Sequence, residues 1–317
     1  MALSKLLTHR QVAIIDGALA TELERNGADL QHTLWSAKYL LSEPDRIKDV
    51  HRAYLESGAQ ILITASYQAT VPGFLEAGYN EADALSAITR SVTIARDART
   101  EWATAHPNAE YWPLIAGSVG PYGAYTADGG EYRGNYGLSR EALIAFHLPR
   151  IRTLIAAGVD LIACETIPDL VEADALASCI SQFPRVSCWM SMSCRNGTET
   201  NAGQTIAEVA VKLNQYACVT AIGVNCTAPQ HITSLVTILA SQTTKPIVVY
   251  PNSGESYDAT SKTWSGTVTC ADYVTAAASW VNAGARIVGG CCRTTPEHIR
   301  ALVNYFQSVP TPRTGVA

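Results

Sequence analysis

Gly158-Val159-Asp160-Leu161-Ile162-Ala163-Cys164-Glu165-Thr166 is the stretch that decides the fold. Its glycine closes a helical segment, residues 143–157, in which Leu143, Phe146, Leu148, Ile151, Leu154 and Ile155 form a broad apolar stripe. A short, nearly continuous apolar run follows and ends on an acidic residue. Such a run marks a parallel strand covered on both faces, because neither face meets water. Glycine after the last helical turn supplies the left-handed conformation that other residues adopt only at a cost. The nine residues read as helix stop, then parallel strand.

The same punctuation recurs in both directions. Strand runs are expected at 12–18, 61–67, 114–120, 160–166, 186–194, 220–226, 247–252 and 286–292. A helix over 44–57 carries Ile47, Val50, Tyr54 and Leu55 and stops at Gly58, another over 271–283 stops at Gly284, and Pro296 opens a last helix over 297–306. Strict strand–helix alternation implies a parallel sheet. Eight units in about 250 residues, plus two insertions, fit the α/β class and a closed (β/α)8 TIM barrel, one domain spanning residues 1–317. An open doubly wound sheet would show fewer strands and a glycine-rich phosphate turn after the first, and Asp16-Gly17-Ala18-Leu19-Ala20 lacks that turn. The insertions, residues 68–80 and 121–139, follow strands two and three on the face where barrels keep their active sites.

With 317 residues, 47% hydrophobic and 16% charged, the chain can bury a large core. A formal net charge of −5 gives no basic footprint for nucleic acid or an anionic membrane. No stretch reaches the roughly 20 apolar residues of a membrane span, and residues 1–10 lack a signal core. The expectation is a cytoplasmic protein, monomer or weak homo-oligomer, with a short disordered tail at 310–317. Its nine cysteines are then reduced, serving as packing, ligands or nucleophiles.

Three of the nine stand apart. Cys226 ends the sixth run, while Cys291 and Cys292 end the eighth, so all three fall on one rim. Cys164 and Cys188 lie inside strands, Cys179 and Cys218 in expected helices, and Cys194 and Cys270 at element edges, where packing explains them. Neighbouring cysteines reach a common atom only where the backbone bends, which Gly289-Gly290 permits. A disulfide is the alternative; it leaves one of the three thiols unpaired. Three thiolates with a fourth position open describe a catalytic tetrahedral site for Zn2+, which soft sulfur favours over magnesium or calcium. A substrate thiol taking that position loses its proton and becomes a nucleophile. Surrounded by thiolates, it is suited to attack an electrophilic carbon, so alkyl transfer to a thiol is the expected chemistry.

Further motifs then fall into line: Asp16-Gly17-Ala18-Leu19-Ala20-Thr21-Glu22-Leu23, Leu34-Trp35-Ser36-Ala37-Lys38, Thr64-Ala65-Ser66-Tyr67-Gln68-Ala69, Gly117-Ser118-Val119-Gly120-Pro121-Tyr122-Gly123-Ala124-Tyr125, Ala163-Cys164-Glu165-Thr166, Gly223-Val224-Asn225-Cys226, Tyr250-Pro251-Asn252-Ser253-Gly254-Glu255, and Gly289-Gly290-Cys291-Cys292-Arg293-Thr294-Thr295-Pro296. In this order, from about Asp16 to Phe306, the chain resembles the homocysteine S-methyltransferases that use S-methylmethionine or S-adenosylmethionine. The resemblance implies zinc on Cys226, Cys291 and Cys292, methyl transfer from a methylsulfonium donor to a zinc-bound homocysteine thiolate, and a place in methionine biosynthesis. It also implies that Asp16 and Glu165 hold the homocysteine ammonium. Read by themselves, both are acidic residues ending apolar strands, and a buried carboxylate there needs a cation, from a substrate or from an arginine.

Thr166 and Asn225 are expected to position substrate or ligands. Trp35, Tyr67, Tyr122 and Tyr125 lie on rim loops, as a wall for a sulfonium cation or as packing. Gly254-Glu255 is either a donor contact or a tight turn. Residues 195–204 match no motif, and the chain has no room for a cobalamin or folate module. Betaine–homocysteine methyltransferase, selenocysteine methyltransferase and a non-catalytic zinc or thiol-sensing barrel are the competing readings. The expected partners are two small molecules, homocysteine and the donor.

Overall fold

The computed structural model describes residues 2–254, 256–258, 263–265 and 268–308. Eight parallel strands form: β1 (Ala13–Ile14), β2 (Ile61–Ile63), β3 (Leu114–Val119), β4 (Leu161–Ile167), β5 (Cys188–Met192), β6 (Val219–Asn225), β7 (Ile247–Tyr250) and β8 (Ala285–Val288). Their hydrogen-bonded order is β1-β8-β7-β6-β5-β4-β3-β2. A parallel bridge between Ile15 and Ile61 joins the two ends, and the Asp16 N–H donates to Ile61 O at 3.0 Å. The sheet is therefore closed, as eight strand–helix units led us to expect.

One long helix follows each strand: Pro44–Glu56, Glu81–Ala105, Arg140–Ala157, Leu170–Ser181, Ile206–Asn214, Pro229–Gln242, Cys270–Ala283 and Pro296–Ser308. Gly58, Gly158 and Gly284 stand after the first, third and seventh with φ of 92°, 88° and 126°, the left-handed stop read from sequence. Asn80, Thr205 and Thr269 open the second, fifth and seventh with reciprocal capping boxes that satisfy otherwise orphaned N–H groups. Among the described residues no helix is long and apolar enough to cross a membrane.

Two differences from the sequence reading have physical causes. Runs 12–18, 61–67 and 286–292 are longer than β1, β2 and β8, because their last residues leave the ladder and turn into the mouth of the barrel. Cys218 lies in the turn before β6 rather than in a helix: the helix ends at Asn214, and the Cys218 carbonyl accepts from Cys188 N–H at 2.8 Å. A small antiparallel pair, Ser256–Asp258 with Thr263–Ser265, follows β7 and was not anticipated. Glu255 and the tail at 310–317 lie outside the described residues.

Strand alternation sorts the core into two layers. Ile14, Leu62, Ile162 and Val249 pack outward against the helices, while Ile15, Ala116, Leu161, Ala163, Trp189 and Val248 fill the barrel. Leu3 and Leu6, on the N-terminal helix Ala2–His9, join this inner cluster and cover one end of it. Because Leu161 and Ala163 point inward, Glu165 two residues on does too. The apolar filling thus gives way to polar groups at the strand C-termini. Leu3→Ala removes a side chain only 1% exposed, and we expect a loss of about 2–5 kcal/mol in urea unfolding. An unchanged midpoint would show that the helix does not cover the barrel.

Candidate active site at the barrel mouth

The three rim cysteines converge. Cys226 follows β6 directly, with φ of 45°, and Cys291 and Cys292 follow β8 by three and four residues. The bend that brings the pair inward rests on close approach rather than on a left-handed glycine. A Cβ on Gly290 would sit 2.3 Å from Thr294 Oγ1, and one on Gly289 would sit 2.7 Å from Ile15 Cβ. Cys291 N–H donates to Pro251 O at 2.8 Å, and Ser253 N–H donates to Cys292 O at 3.0 Å, fixing the turn against the segment after β7.

The Cys226 and Cys291 sulfurs are in disulfide contact, with their Cα atoms 5.6 Å apart; Cys292 remains a thiol 3.9 Å from Cys226. The pairing that leaves one thiol over is thus accessible to this backbone. All three sulfurs also lie within 4.8 Å of one another. Zinc–sulfur bonds near 2.3 Å place tetrahedral ligands about 3.8 Å apart, so the Cys226–Cys292 spacing fits a shared metal. Burial pushes the Cys292 thiol up to about 11, and the charges of Glu131 and Glu24 add to this. That environment favours a bound cation over free thiolates. The three sulfurs therefore fit the zinc set implied by the sequence.

Asp16 and Glu165 share this rim at 4% and 7% exposure: Gly290 N–H donates to Asp16 O at 3.2 Å, and Asn225, next to Cys226, binds Thr166, next to Glu165. Ile63 N–H donates to Asp16 Oδ2 at 2.9 Å. Burial raises the Asp16 carboxyl well above the usual carboxylate range, and the Glu165 charge adds to it. Glu165 is raised to about 7, first by burial, against hydrogen bonds from Ser118 and Tyr250 and the charge of Arg150. Among the described residues neither carboxylate forms a salt bridge, so the arginine alternative is not realised. Two buried carboxylates that form no salt bridge are a receptor for a cation.

Asn225 spans the rim from β6 to β4. Its Oδ1 accepts from Thr166 N–H at 2.7 Å, and its Nδ2 donates to Thr166 Oγ1 at 2.8 Å. Thr166 has φ of 60° and hydrogen-bonds the Tyr67 side chain. Trp35, with φ of 47°, meets the Tyr67 ring edge-on at 6.3 Å. All six expected substrate-facing residues are thus placed at the mouth. Tyr122 and Tyr125 are not part of that pair: they pack on each other at 5.5 Å and on Phe146 at 4.9 and 5.4 Å, so for them packing is the outcome. Residues 195–204 form a bridged loop held by Cys194–Thr200 and Glu199–Thr205 pairing, with Ala202 N–H on Pro168 O at 3.0 Å.

The fold and this mouth define a (β/α)8 barrel whose strand C-termini carry a three-cysteine cluster and two buried carboxylates without a salt bridge. Residues 13–306 match the homocysteine S-methyltransferase family. The chain is 48% identical over 300 residues to the homocysteine S-methyltransferase YbgG of Bacillus subtilis, covering 94% of this chain and 95% of that one. It is 43% identical over 319 residues to a selenocysteine methyltransferase of Astragalus bisulcatus, covering 95% and 94%. Among solved structures, the metallated form of the homocysteine methyltransferase MmuM from Escherichia coli matches with a TM-score of 0.88 at 43% identity, over 96% of this chain and 100% of that one. Its oxidized form gives 0.87 at 44%, over 96% and 99%. The chain belongs to the homocysteine S-methyltransferase family.

Several residues at the mouth were missed from sequence. Ser118 and Tyr250, inside quoted motifs, hold Glu165. A buried clamp also underlies the rim. Arg150 donates to Tyr67 O at 2.8 Å and Gly120 O at 2.6 Å, and to His147 Nδ1 at 3.0 Å. His147 Nε2 lies 2.8 Å from Glu172 Oε1, which also accepts from Tyr122 N–H at 2.6 Å. With Nδ1 accepting, the neutral ring carries its proton on Nε2, consistent with burial lowering the His147 pKa. No residue spacing signals this clamp, since Arg150 lies on an otherwise apolar helical stripe. Arg150→Met leaves two carbonyls and His147 Nδ1 buried without their partner and removes the positive charge nearest Glu172. We expect a loss of about 3–5 kcal/mol, read by chemical unfolding; a loss below about 1 kcal/mol would deny the clamp its role.

Proposed function

We propose that the chain transfers a methyl group from a methylsulfonium donor, S-methylmethionine or S-adenosylmethionine, to homocysteine, yielding methionine. The observation that carries this reading is the convergence of Cys226, Cys291 and Cys292, with sulfurs within 4.8 Å of one another, on the rim shared by the buried carboxylates of Asp16 and Glu165. In their reduced form the three cysteines would hold Zn2+, and zinc bound there supplies the charge that keeps a substrate thiol deprotonated at neutral pH. Asp16 and Glu165 receive the amino-acid ammonium and so orient the thiol toward the cysteines. Asn225 and Thr166 keep the β4 and β6 ends in register around it, while Trp35 and Tyr67 line the donor side.

The reaction is a displacement at carbon. The acceptor sulfur lone pair forms the new S–CH3 bond as the donor C–S bond breaks, and that bonding pair stays on the departing neutral thioether. No general acid is required. The chain's own contribution is alignment of the two sulfurs and exclusion of water. Selenocysteine is a second acceptor reading, supported by the 43% identity to a selenocysteine methyltransferase. We take the chain to act as one domain, monomeric or weakly associated, on small molecules alone.

Reduced protein should form methionine from homocysteine and S-methylmethionine, lose this activity to a strong chelator and regain it with zinc. Cys291→Ser should lower kcat/KM by roughly a hundredfold or more, together with the zinc content. Turnover with betaine and none with either sulfonium would overturn the donor, and the same assay with selenocysteine settles the second acceptor.

The pH profile provides an independent check. Glu165 can face an ammonium only as the carboxylate, and in the free protein it titrates at about 7. Hence kcat/KM for homocysteine should fall as pH drops below about 7, by up to roughly tenfold per unit. Glu165→Gln should lower the plateau and remove that bend. Because the folded value exceeds the ordinary one, this group favours the ligand-free fold below the ordinary carboxylate range, and that contribution is lost as pH rises through about 7. An identical bend in Glu165→Gln would assign the titration elsewhere.

A further inference from the structure

The insertion after β3 carries a short 3-10 turn, Gly130–Tyr132. It is fastened to the rim: Ser193 Oγ donates to Glu131 O at 3.1 Å and to Thr166 O at 3.3 Å, so the turn rests on the ends of β4 and β5. From that perch the Glu131 side chain reaches inward. Its carboxylate engages its own backbone N–H, while Oε2 is buried with no hydrogen-bond partner. Because Ser193 ties the turn to Thr166, and Thr166 hydrogen-bonds the Tyr67 side chain, the turn sits on the side of the mouth lined by Tyr67. Among the described residues Glu131 forms no salt bridge; Arg133, whose charge reaches it, is paired with Asp128 at 2.6 Å on the surface. Burial raises the Glu131 carboxyl, and the Arg133 charge only partly offsets this.

A buried carboxylate without a counterion is costly unless a cation arrives to meet it. Asp16 and Glu165 already provide for one ammonium, and the group that approaches from the Tyr67 side is the donor. We propose that Glu131 is the carboxylate that faces the sulfonium of the methyl donor. This rests on the reading of the chain as a sulfonium-dependent methyltransferase. The sulfonium charge is cancelled as its methyl passes to the thiolate, so Glu131 stabilises the bound donor more than the transition state. Its removal then acts on donor binding and leaves the chemical step equal or faster.

The test uses Glu131→Gln and Glu131→Asp in the reduced, zinc-loaded protein, with S-methylmethionine as donor. In Glu131→Gln the KM for S-methylmethionine and its calorimetric Kd should rise about tenfold or more. The KM for homocysteine should hold, and kcat should be undiminished. Methionine, the neutral thioether measured as an inhibitor competitive with the donor, should bind as before; Glu131→Asp should fall between. A merely structural role predicts instead a lower kcat, or equal weakening of the charged and neutral ligands, and either result overturns the inference. So does an unchanged donor KM in Glu131→Gln when the wild-type protein turns over normally, and that outcome leaves the function intact. A wild-type protein that neither binds nor uses sulfonium donors sinks the proposed function itself, and this inference with it.

Discussion

Closure of the sheet between its first and last strands is the constraint on which the site depends. β1 is only two residues long, yet it lies between β8 and β2 and completes the ring. That placement brings Asp16 beside a turn some 275 residues away in sequence. Gly290 N–H donates to Asp16 O at 3.2 Å, and Ala18 N–H to Thr294 Oγ1 at 3.3 Å. The Tyr54 hydroxyl spans Ala18 O and Thr294 O at 3.1 and 3.3 Å. A carboxylate from the start of the chain and two thiols from its end therefore occupy one rim because the barrel closes. In a sheet open between β1 and β8, those two strands would stand at opposite edges and the cluster would lose Asp16.

The mouth built by that closure holds more acidic groups than basic ones, with Arg293 on its rim. Three cysteines, Asp16, Glu165 and Glu131 converge there. The one buried arginine below them, Arg150, spends its hydrogen bonds on the carbonyls of Tyr67 and Gly120 and on His147. Burial raises both Asp16 and Glu165, and the Glu165 charge adds to the cost of ionising Asp16. In a barrel interior filled with Trp189, Val248 and Ala163, water cannot relieve that imbalance. Cations can. The reaction proposed here brings three, a metal ion, an ammonium and a sulfonium, so the protein leaves to its ligands the charge neutralisation that a structural site would build in.

The fold was legible because its signals are local. Near-continuous apolar runs, and glycine stops at 58, 158 and 284, are set by neighbours a few residues away, and all eight strands formed where those runs lie. Strand ends were less legible. Residues such as 289–292 are apolar or small enough to extend β8, yet they bend away to meet Pro251 and Thr294. The site was legible where chemistry is rare: thiols ending two strands, and acids ending apolar ones. Glu131 and the Arg150–His147–Glu172 clamp were not, because their meaning lies in what surrounds them. An acid in a Gly- and Tyr-rich loop is ordinary until its Oε2 is found buried and unpartnered. An arginine on an apolar stripe looks like a solvated edge until it proves to bridge two strand ends.

Backbone conformation argues that the mouth is preorganised. Among the described residues, six non-glycine residues have left-handed backbone, and Trp35, Thr166, Cys226 and Arg293 are four of them. Each such residue costs roughly 1–2 kcal/mol, so their gathering at one rim requires something to hold them there. For Thr166 that restraint is Asn225, which binds both its N–H and its hydroxyl. For Arg293 it is Thr21, whose hydroxyl accepts the Arg293 N–H at 3.1 Å. Cys226 N–H is held by Tyr250 O at 3.3 Å. Thr166 lies inside β4 and Cys226 directly after β6, so these restraints start from strands already locked in a closed barrel; Arg293 lies five residues past β8. Backbone torsions this close to a rigid ladder cannot relax independently, so the side chains they aim keep their direction whether or not a ligand is present.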